Sequence, residues 1–188
     1  MPSSKSCELV YFVAVSLDGF IAGPGGDVSR FLAQGDHLDA IVEHWPETLP
    51  APFRAALGIE APPARFGAVI MGWNTYALGY DQGLADPYPP LETVVCSRRH
   101  RVGADRVVQS DDPRAQVARL REAGHEIWLC GGGQLAAVLA SEVDRLILKV
   151  NPIVLGHGVP LFDRGEPRAW QLEETMSFSS GVLFNTYR

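Results

Sequence analysis

The stretch Glu126-Ile-Trp-Leu-Cys-Gly-Gly-Gly-Gln-Leu-Ala136 joins a short apolar run to three consecutive glycines and then to residues that favour a helix. The apolar run is typical of a buried strand. Glycine has no Cβ, so the backbone at Gly131, Gly132 and Gly133 can approach a ligand closely. The start of a helix, here predicted over residues 134–140, favours a phosphate group. The junction therefore indicates a phosphate site, and the alternative is a turn needed only for packing.

The same glycines match the fingerprint G-x-G-x-x-A of dinucleotide-binding Rossmann units, from Gly131 to Ala136. A Rossmann unit also has an acidic residue about 20 positions further on, at the end of the next strand. In this sequence that region is Lys149-Val-Asn151, and the glycines come late rather than in a first strand–helix–strand unit. The sequence therefore disfavours a standard Rossmann domain.

Buried strands and helices alternate on both sides of the glycines. Strands are predicted at residues 9–16, 68–71, 93–96, 106–108, 126–130 and 145–150, and helices at 36–45 and 113–123, the latter capped by Asp111 or Asp112. From residue 169 onward two strand-like segments follow without a helix, the last at 182–187. Alternating strands and helices predict a largely parallel sheet, and the final strands predict antiparallel edges. We expect one α/β domain over residues 1–188.

The bulk composition excludes several classes of function. The 188 residues carry a formal net charge of -6, which disfavours a general electrostatic attachment to nucleic acid or anionic membranes. Cys7, Cys96 and Cys130 fit no metal-ligand spacing, so no metal site is expected. Residues 1–8 lack the long apolar core that is typical of a signal peptide, and no apolar run approaches the roughly 20 residues needed to span a bilayer. We expect a soluble cytoplasmic protein with reduced thiols.

Two further strand ends carry polar groups. Ser97-Arg98-Arg99 follows the strand at 93–96, and a hydroxyl beside two guanidinium groups suits a phosphate monoester such as the 2′-phosphate of NADP. The alternative is an exposed basic loop. After the strand at 68–71, Gly72, Asn74 and Thr75 offer amides and a hydroxyl to another phosphate, although Asn74 and Thr75 are equally suited to cap a helix.

The order of these motifs resembles the dihydrofolate reductase superfamily. The resemblance rests on Val13-Ala-Val-Ser-Leu-Asp-Gly-Phe-Ile-Ala22, Met71-Gly-x-x-Thr75, Cys96-Ser-Arg98, Gly131-Gly-Gly133 and Gly156-His-Gly-Val-Pro-Leu-Phe162. It is closer to the reductase domain of riboflavin biosynthesis (the C-terminal domain of RibD) than to true folate reductases. The resemblance implies a three-layer α/β fold, with a mixed eight-stranded sheet flanked by helices and NADPH lying across the strand ends.

The resemblance also assigns cofactor-binding residues by position. The nicotinamide end would meet Ala14, Ile21 and Ala22; the pyrophosphate would meet Gly72, Asn74, Thr75, Gly131, Gly132, Gly133, Gln134 and Leu135; the 2′-phosphate would meet Ser97, Arg98 and Arg99. Trp73 departs from the family pattern, which usually has arginine or lysine there. Either Arg98 and Arg99 compensate, or the preference for NADPH over NADH is weakened. An indole could also stack on the adenine.

The substrate side offers two catalytic candidates. Asp27, in the flexible loop after the first strand, is a candidate for substrate contact, whereas Asp18 before Gly19 is typical of a turn. Lys149 would lie near the substrate cavity and could orient a carbonyl or an anion, or it could face solvent on an edge strand. Folate reductases place a carboxylate on the first helix, and no acid of residues 36–43 aligns with it.

These observations predict an NADPH-dependent reductase that transfers hydride to a small pterin-, pyrimidine- or carbonyl-type substrate. One alternative is the ribosylamino-pyrimidine reductase of riboflavin biosynthesis. The other is a non-catalytic nucleotide-binding or interaction module that kept the fold. From the resemblance, and from residues 156–162 and the C-terminal strands, we also expect a homodimer.

Overall fold

The computed structural model describes residues 7–60 and 62–188, which form ten strands and five α-helices. The strands are β1 (Leu9–Val15), β2 (Phe20–Ala22), β3 (Ala68–Gly72), β4 (Glu92–Cys96), β5 (Val107–Ser110), β6 (Ile127–Gly131), β7 (Arg145–Val150), β8 (Val159–Pro160), β9 (Leu172–Ser177) and β10 (Leu183–Tyr187). The helices are α1 (His37–His44), α2 (Ala51–Ala56), α3 (Trp73–Tyr80), α4 (Pro113–Glu122) and α5 (Gly133–Val138), with two short 3-10 turns at Pro24–Gly26 and Pro46–Thr48.

Eight of the strands form one mixed sheet in the order β5-β4-β3-β6-β1-β7-β10-β9. The six strands from β5 to β7 in that order run parallel, and β10 and β9 are antiparallel additions at one edge. The two remaining strands, β2 and β8, pair with each other in a small second sheet. The predicted α/β class, with a mixed eight-stranded sheet flanked by helices, is confirmed.

Helices cover both faces of the sheet because its central strands are apolar on both sides. On one face, Phe12 of β1 packs with Trp45, which follows α1, and with Phe184 of β10. On the other face, Tyr11 of β1 packs in a cluster with Leu120 of α4. The strand period of two residues places neighbouring β1 side chains in different cores, so the fold has three layers.

Local capping chemistry determines where two helices begin. Asp112 caps α4, because its side chain accepts a hydrogen bond from the backbone N–H of Ala115 at 3.0 Å, and Pro113 opens the helix. For α3 the expected side-chain caps are wrong. The helix starts one residue earlier than Asn74, Gly72 is its N-cap, and no side chain caps it. Asn74 and Thr75 therefore lie in the first turn with side chains that capping does not use.

Within the described residues, no helix has the length and apolarity needed to cross a membrane. The same part of the chain contains no group of three or more histidine, cysteine or acidic side chains placed to hold a metal ion.

Candidate active site

The parallel strands all end at the same edge of the sheet, which is where open α/β sheets bind ligands. Gly72 ends β3 and Gly131 ends β6, and these strands are neighbours in which Met71 pairs with Gly131. A methyl group built on Gly72 would lie 3.8 Å from both the carbonyl oxygen of Gly131 and the amide nitrogen of Gly132. Two strand-to-helix junctions that are 60 positions apart in sequence thus form one surface.

The three consecutive glycines are present for different reasons. Gly133 is required by packing, because a Cβ there would lie 2.2 Å from the carbonyl oxygen of Pro160. Gly131 has φ of 122°, a conformation that side chains rarely adopt. Neither backbone conformation nor packing requires glycine at Gly132, because its φ is -87° and an added Cβ would meet only Thr75 Oγ1 at 3.6 Å. The peptide bond between Gly131 and Gly132 is cis.

Gly72 resembles Gly132 in this respect. Its φ is -80° and its added Cβ would have only ordinary contacts, so neither backbone conformation nor packing requires glycine. A ligand that lies against the backbone would require it. Backbone conformation and packing therefore account for Gly131 and Gly133, whereas Gly72 and Gly132 leave a strip of bare backbone at the starts of α3 and α5.

The other residues predicted for this end surround the strip to different degrees. Thr75 Oγ1 and Ile21 Cδ1 each lie 3.9 Å from a Cβ built on Gly131. Asn74 and Gln134 are exposed beside the strip. Leu135 is buried and its side chain packs in the core with Tyr11, so only its backbone is available to a ligand.

The loop after β4 forms a basic cavity of about 480 Å³ at the same edge of the sheet. Its lining includes Arg98, Arg99, Arg101 and Ser110, and within the described residues none of the three arginines has an ion pair or a hydrogen bond. Ser97 organises the loop: its backbone N–H donates to Ser110, and its Oγ accepts from the His100 N–H at 2.9 Å. On a protein of net charge -6, these unpaired cations suit an anionic ligand.

Trp73, where the family usually has a cation, stacks on His100 of this loop. The ring centroids are 4.4 Å apart and the planes differ by 5°. The other contacts of the indole are to Tyr76 and Tyr80. One face of the ring is thus covered by a residue of the chain, and the stack connects the start of α3 to the loop that carries the arginines.

At the predicted nicotinamide end, the loops after β1 are held by their own polar groups. Asp18 accepts hydrogen bonds from Ser16 Oγ and from the backbone N–H groups of Leu155 and Gly156. The Ser16 hydroxyl and these amides lower the pKa of Asp18 to about 2, so the carboxyl group is no proton donor near neutral pH. Ala22 is buried in β2, while Ala14 and Ile21 are half-buried.

The two catalytic candidates lie in different surroundings. Asp27 is exposed, and hydrogen bonds from the backbone and the side chain of Ser29 lower its pKa, so it is a carboxylate that can only accept. Lys149 is half-buried in β7, which lies between β1 and β10, so the edge-strand alternative is wrong. Its Nζ donates to the carbonyl oxygen of Leu32 at 2.5 Å, and burial lowers its pKa to about 8.

No sequence pattern indicates the residues that surround Lys149. The Leu32 carbonyl also lies 3.3 Å from Nε2 of the fully buried His37, and the Leu32 N–H donates to Asn151 Oδ1 at 3.1 Å. The contact between Asn151 and Leu32 spans 119 positions, so no local pattern could reveal it. In the sequence, His37 is only one position near the start of the helix predicted over residues 36–45.

A mixed eight-stranded sheet with antiparallel last strands, and helices that start at the carboxyl ends of its parallel strands, define a protein with the dihydrofolate reductase-like fold. Residues 8–184 match the RibD C-terminal domain family, and the chain belongs to this family. The resemblance inferred from the sequence is thereby confirmed.

Relatives and solved structures agree with this assignment. The chain is 30% identical to the uncharacterized protein YwjB of Bacillus subtilis (strain 168) over 96% of this chain and 98% of the relative. It is 25% identical to YyaP of the same strain, also uncharacterized, over 97% and 95% of the two chains. A putative riboflavin biosynthesis protein of Shewanella sp. PV-4 has the same fold, with a TM-score of 0.66, 23% identity and coverage of 96% and 97%.

A two-function enzyme of Thermotoga maritima also shares the fold. It is a diaminohydroxyphosphoribosylaminopyrimidine deaminase and 5-amino-6-(5-phosphoribosylamino)uracil reductase, with a TM-score of 0.64 and 15% identity. The likeness covers 96% of this chain and 56% of the larger one.

Proposed function

We propose that this protein is an NADPH-dependent reductase of a small substrate. The observation that carries the proposal is the strip of bare backbone at Gly72 and Gly132, on the same sheet edge as the guanidinium groups of Arg98 and Arg99, which have no partner among the described residues. Membership of the RibD C-terminal domain family supports reductase chemistry. A dinucleotide with an additional phosphate matches both features, because it brings a pyrophosphate and a phosphate monoester to one edge.

The residues at this edge fit the cofactor. The backbone at Gly72 and Gly132, with the Thr75 hydroxyl, would hold the pyrophosphate, whereas Ser97, Arg98 and Arg99 would hold the 2′-phosphate. When bound, the reduced nicotinamide supplies a hydride to the substrate. The chain itself binds and orients the reactants, and the buried residues of β1 and β2 exclude water from the nicotinamide end.

Among substrates, family membership favours a ribosylamino-pyrimidine of the riboflavin pathway. The Thermotoga relative reduces a compound of this kind, and the putative riboflavin biosynthesis protein of Shewanella has this fold along its whole length. Reduction of this ribosylamino-pyrimidine is the second candidate function, beside reduction of an unidentified carbonyl substrate. A non-catalytic nucleotide-binding module is the third.

Quenching of the fluorescence of the four tryptophans by NADPH and NADH tests the cofactor. We expect Arg98→Gln and Arg99→Gln each to weaken NADPH binding about tenfold or more, because a charge-assisted hydrogen bond contributes about 1.5–3 kcal/mol. NADH binding should change little. Arg106→Gln is the matched control: Arg106 precedes β5, at the opposite end from the cavity, and donates to Pro89.

Equal losses for NADPH and NADH in both arginine variants would contradict the assignment of the 2′-phosphate. Absence of quenching by NADPH at millimolar concentration would remove the proposed function altogether. NADPH oxidation in the presence of pyrimidine, pterin and carbonyl substrates separates a reductase from a binding module, since a module binds the cofactor and oxidises it with none of them.

A further inference from the structure

Helix α1 packs on the sheet face that carries Phe12 and Phe184, and it presents no carboxylate to that face. The residue that it buries completely is His37, while Asp39 and Glu43 are exposed. Asp36, just before the helix, accepts hydrogen bonds from the backbone and hydroxyl of Ser179 and from the backbone of Ser180. A substrate ring with several N–H donors, such as a pterin, needs an acceptor here. The described part of the helix provides none on this side.

Lys149 supplies a cation at the same place. In the register of the sheet it lies between Ala14 of β1 and Phe184 of β10, so its side chain shares the face on which α1 packs. Its Nζ donates to the Leu32 carbonyl, and no carboxylate of the described residues forms an ion pair with it. An ammonium group has three N–H donors, so two remain for a ligand.

The groups that face Lys149 leave its charge uncompensated. From α1, His37 shares the Leu32 carbonyl and places Nδ1 3.1 Å from Ser180 Oγ. Burial and the nearby ammonium of Lys149 lower the pKa of His37, so this imidazole is neutral at neutral pH. Asp36 is hydrogen-bonded to the turn at Ser179 and Ser180, and no carboxylate of residues 7–60 or 62–188 forms an ion pair with Lys149.

We propose that Lys149 is the catalytic acid of this site and that the hydride acceptor is a carbonyl compound. The inference rests on the proposed function. In this step, a hydride that the reduced nicotinamide would supply bonds to the carbonyl carbon, the C=O π pair moves to oxygen, and that oxygen takes a proton from Lys149 Nζ. The neutral amine then regains its proton from water. Before reaction, the ammonium donates a hydrogen bond to the substrate oxygen and polarises the C=O bond. The substrate oxygen then accepts from Nζ as the Leu32 carbonyl does in the free protein.

The lysine content makes Lys149 directly observable. The chain has only two lysines, Lys5 and Lys149, beside fourteen arginines. Competitive acetylation followed by mass spectrometry therefore reports Lys149, with Lys5 as the reference in the same chain. We expect Lys149 to titrate near pH 8. Benzoate, an unreactive analogue of benzaldehyde, should slow its acetylation several-fold without affecting Lys5, and the cationic isostere benzamidine should not.

Kinetics provide the second readout. We expect wild-type protein to oxidise NADPH with benzaldehyde or glyceraldehyde, and kcat to fall on the alkaline side of about pH 8 as Lys149 loses its proton. Lys149→Met should lower kcat about 100-fold, a typical loss for a general acid. Lys149→Arg should keep KM within a few-fold but not restore kcat, because a guanidinium group does not release its proton. Quenching by NADPH should be unchanged in both variants.

Several results would overturn the assignment of Lys149. They are equal protection by benzamidine, no protection by benzoate, wild-type kcat in Lys149→Met, or a wild-type protein that binds NADPH and reduces neither aldehyde. Acetylation of the wild-type protein is independent of whether a variant folds and does not require the cofactor. It therefore decides whether Lys149 binds a ligand oxygen even if NADPH fails to bind, an outcome that would remove the proposed function and with it the hydride-transfer step.

Discussion

The two ends of the candidate site use their polar groups in opposite ways. At the phosphate end, the backbone at Gly72 and Gly132 is bare, and Arg98 and Arg99 have no partner among the described residues. At the proposed substrate end, Lys149 Nζ of β7 donates a hydrogen bond to the Leu32 carbonyl. The Leu32 N–H, in the loop before α1, donates to Asn151 just after β7. The first end presents groups that have no partner among the described residues, whereas at the second end a contact within the chain already uses one donor of the lysine that a substrate would meet.

This difference implies different costs of binding. A phosphate that reaches the arginines gains charge-assisted hydrogen bonds without breaking contacts of the protein. A substrate that reaches Lys149 must use its two free donors or displace Leu32, so part of its binding free energy is spent on rearrangement. Cofactor affinity should therefore depend on single side chains at one end. At the other end, effects should appear in loop order and in kcat.

The largest expected effect separates a packing glycine from a ligand glycine. Gly133→Ala places a Cβ 2.2 Å from the backbone oxygen of Pro160, where no flexible side chain can move away. We expect a loss of about 3 kcal/mol in the free energy of unfolding, at the upper end for overpacked sites. Urea denaturation measures it. Unchanged stability with lost NADPH binding would instead make Gly133 part of the ligand surface.

Gly72→Ala is the opposite case. Its added Cβ would meet nothing closer than 3.8 Å, and φ of -80° suits alanine, so stability should change by less than about 1 kcal/mol. The methyl group would occupy the strip where we expect the pyrophosphate. NADPH affinity, measured by calorimetry, should therefore fall about tenfold or more, which corresponds to 1.4 kcal/mol.

Gly165→Ala is the matched control for this variant, because a Cβ there meets no atom within 4 Å. Its affinity for NADPH should equal that of the wild type. Equal affinity of Gly72→Ala and the wild type would contradict a ligand role for the bare strip and would remove the main contrast between the two ends.

The same contrast explains what could be predicted from the sequence. The strands β1, β3, β4 and β6 are short apolar runs, and the loop from Ser97 is contiguous, so local patterns predicted the sheet and the arginine-bearing loop at its edge. The cap of α4 was predictable because Asp112 and Pro113 carry their own signal. Each of these features depends on residues a few positions apart.

The substrate end depends on sheet order and on contacts between distant residues. Nothing local indicates that β10 returns to pair with β7, which is why Lys149 could be placed on an edge strand. The hydrogen bond from Lys149 to Leu32 spans 117 positions. The strands β2 and β8 have three and two residues, too short for any periodicity. These features required three-dimensional structure.

A smaller effect tests whether the open end is held open by the stack of Trp73 on His100. Trp73→Leu removes a stacked aromatic pair, a contribution of about 0.5–1.5 kcal/mol, and frees the loop that carries Arg98. We expect NADPH affinity to fall about three- to tenfold by calorimetry, with little loss of stability. The control is Trp170→Leu, which removes the tryptophan beneath Arg168. Unchanged affinity in Trp73→Leu would show that the arginines need no positioning.

The smallest effect concerns the polar contacts within the substrate end. Asp18 joins the turn after β1 to the backbone N–H groups of Leu155 and Gly156, and its pKa of about 2 lies below the ordinary 3.8. Because the pKa is depressed in the folded protein, its stabilising contribution is complete above pH 3.8 and is lost as pH falls through about 2. The protection factor of the Gly156 amide, which corrects its exchange rate for the intrinsic slowing of amide exchange in acid, should therefore fall on acidification in the wild type. In Asp18→Asn, the Gly156 amide should exchange faster at neutral pH with a weaker response to acid. NADPH affinity should change by less than about twofold, because a surface contact contributes little.

A large loss of NADPH affinity in Asp18→Asn would instead mean that the two ends are coupled through β2, and the contrast between an open and a closed end would no longer hold.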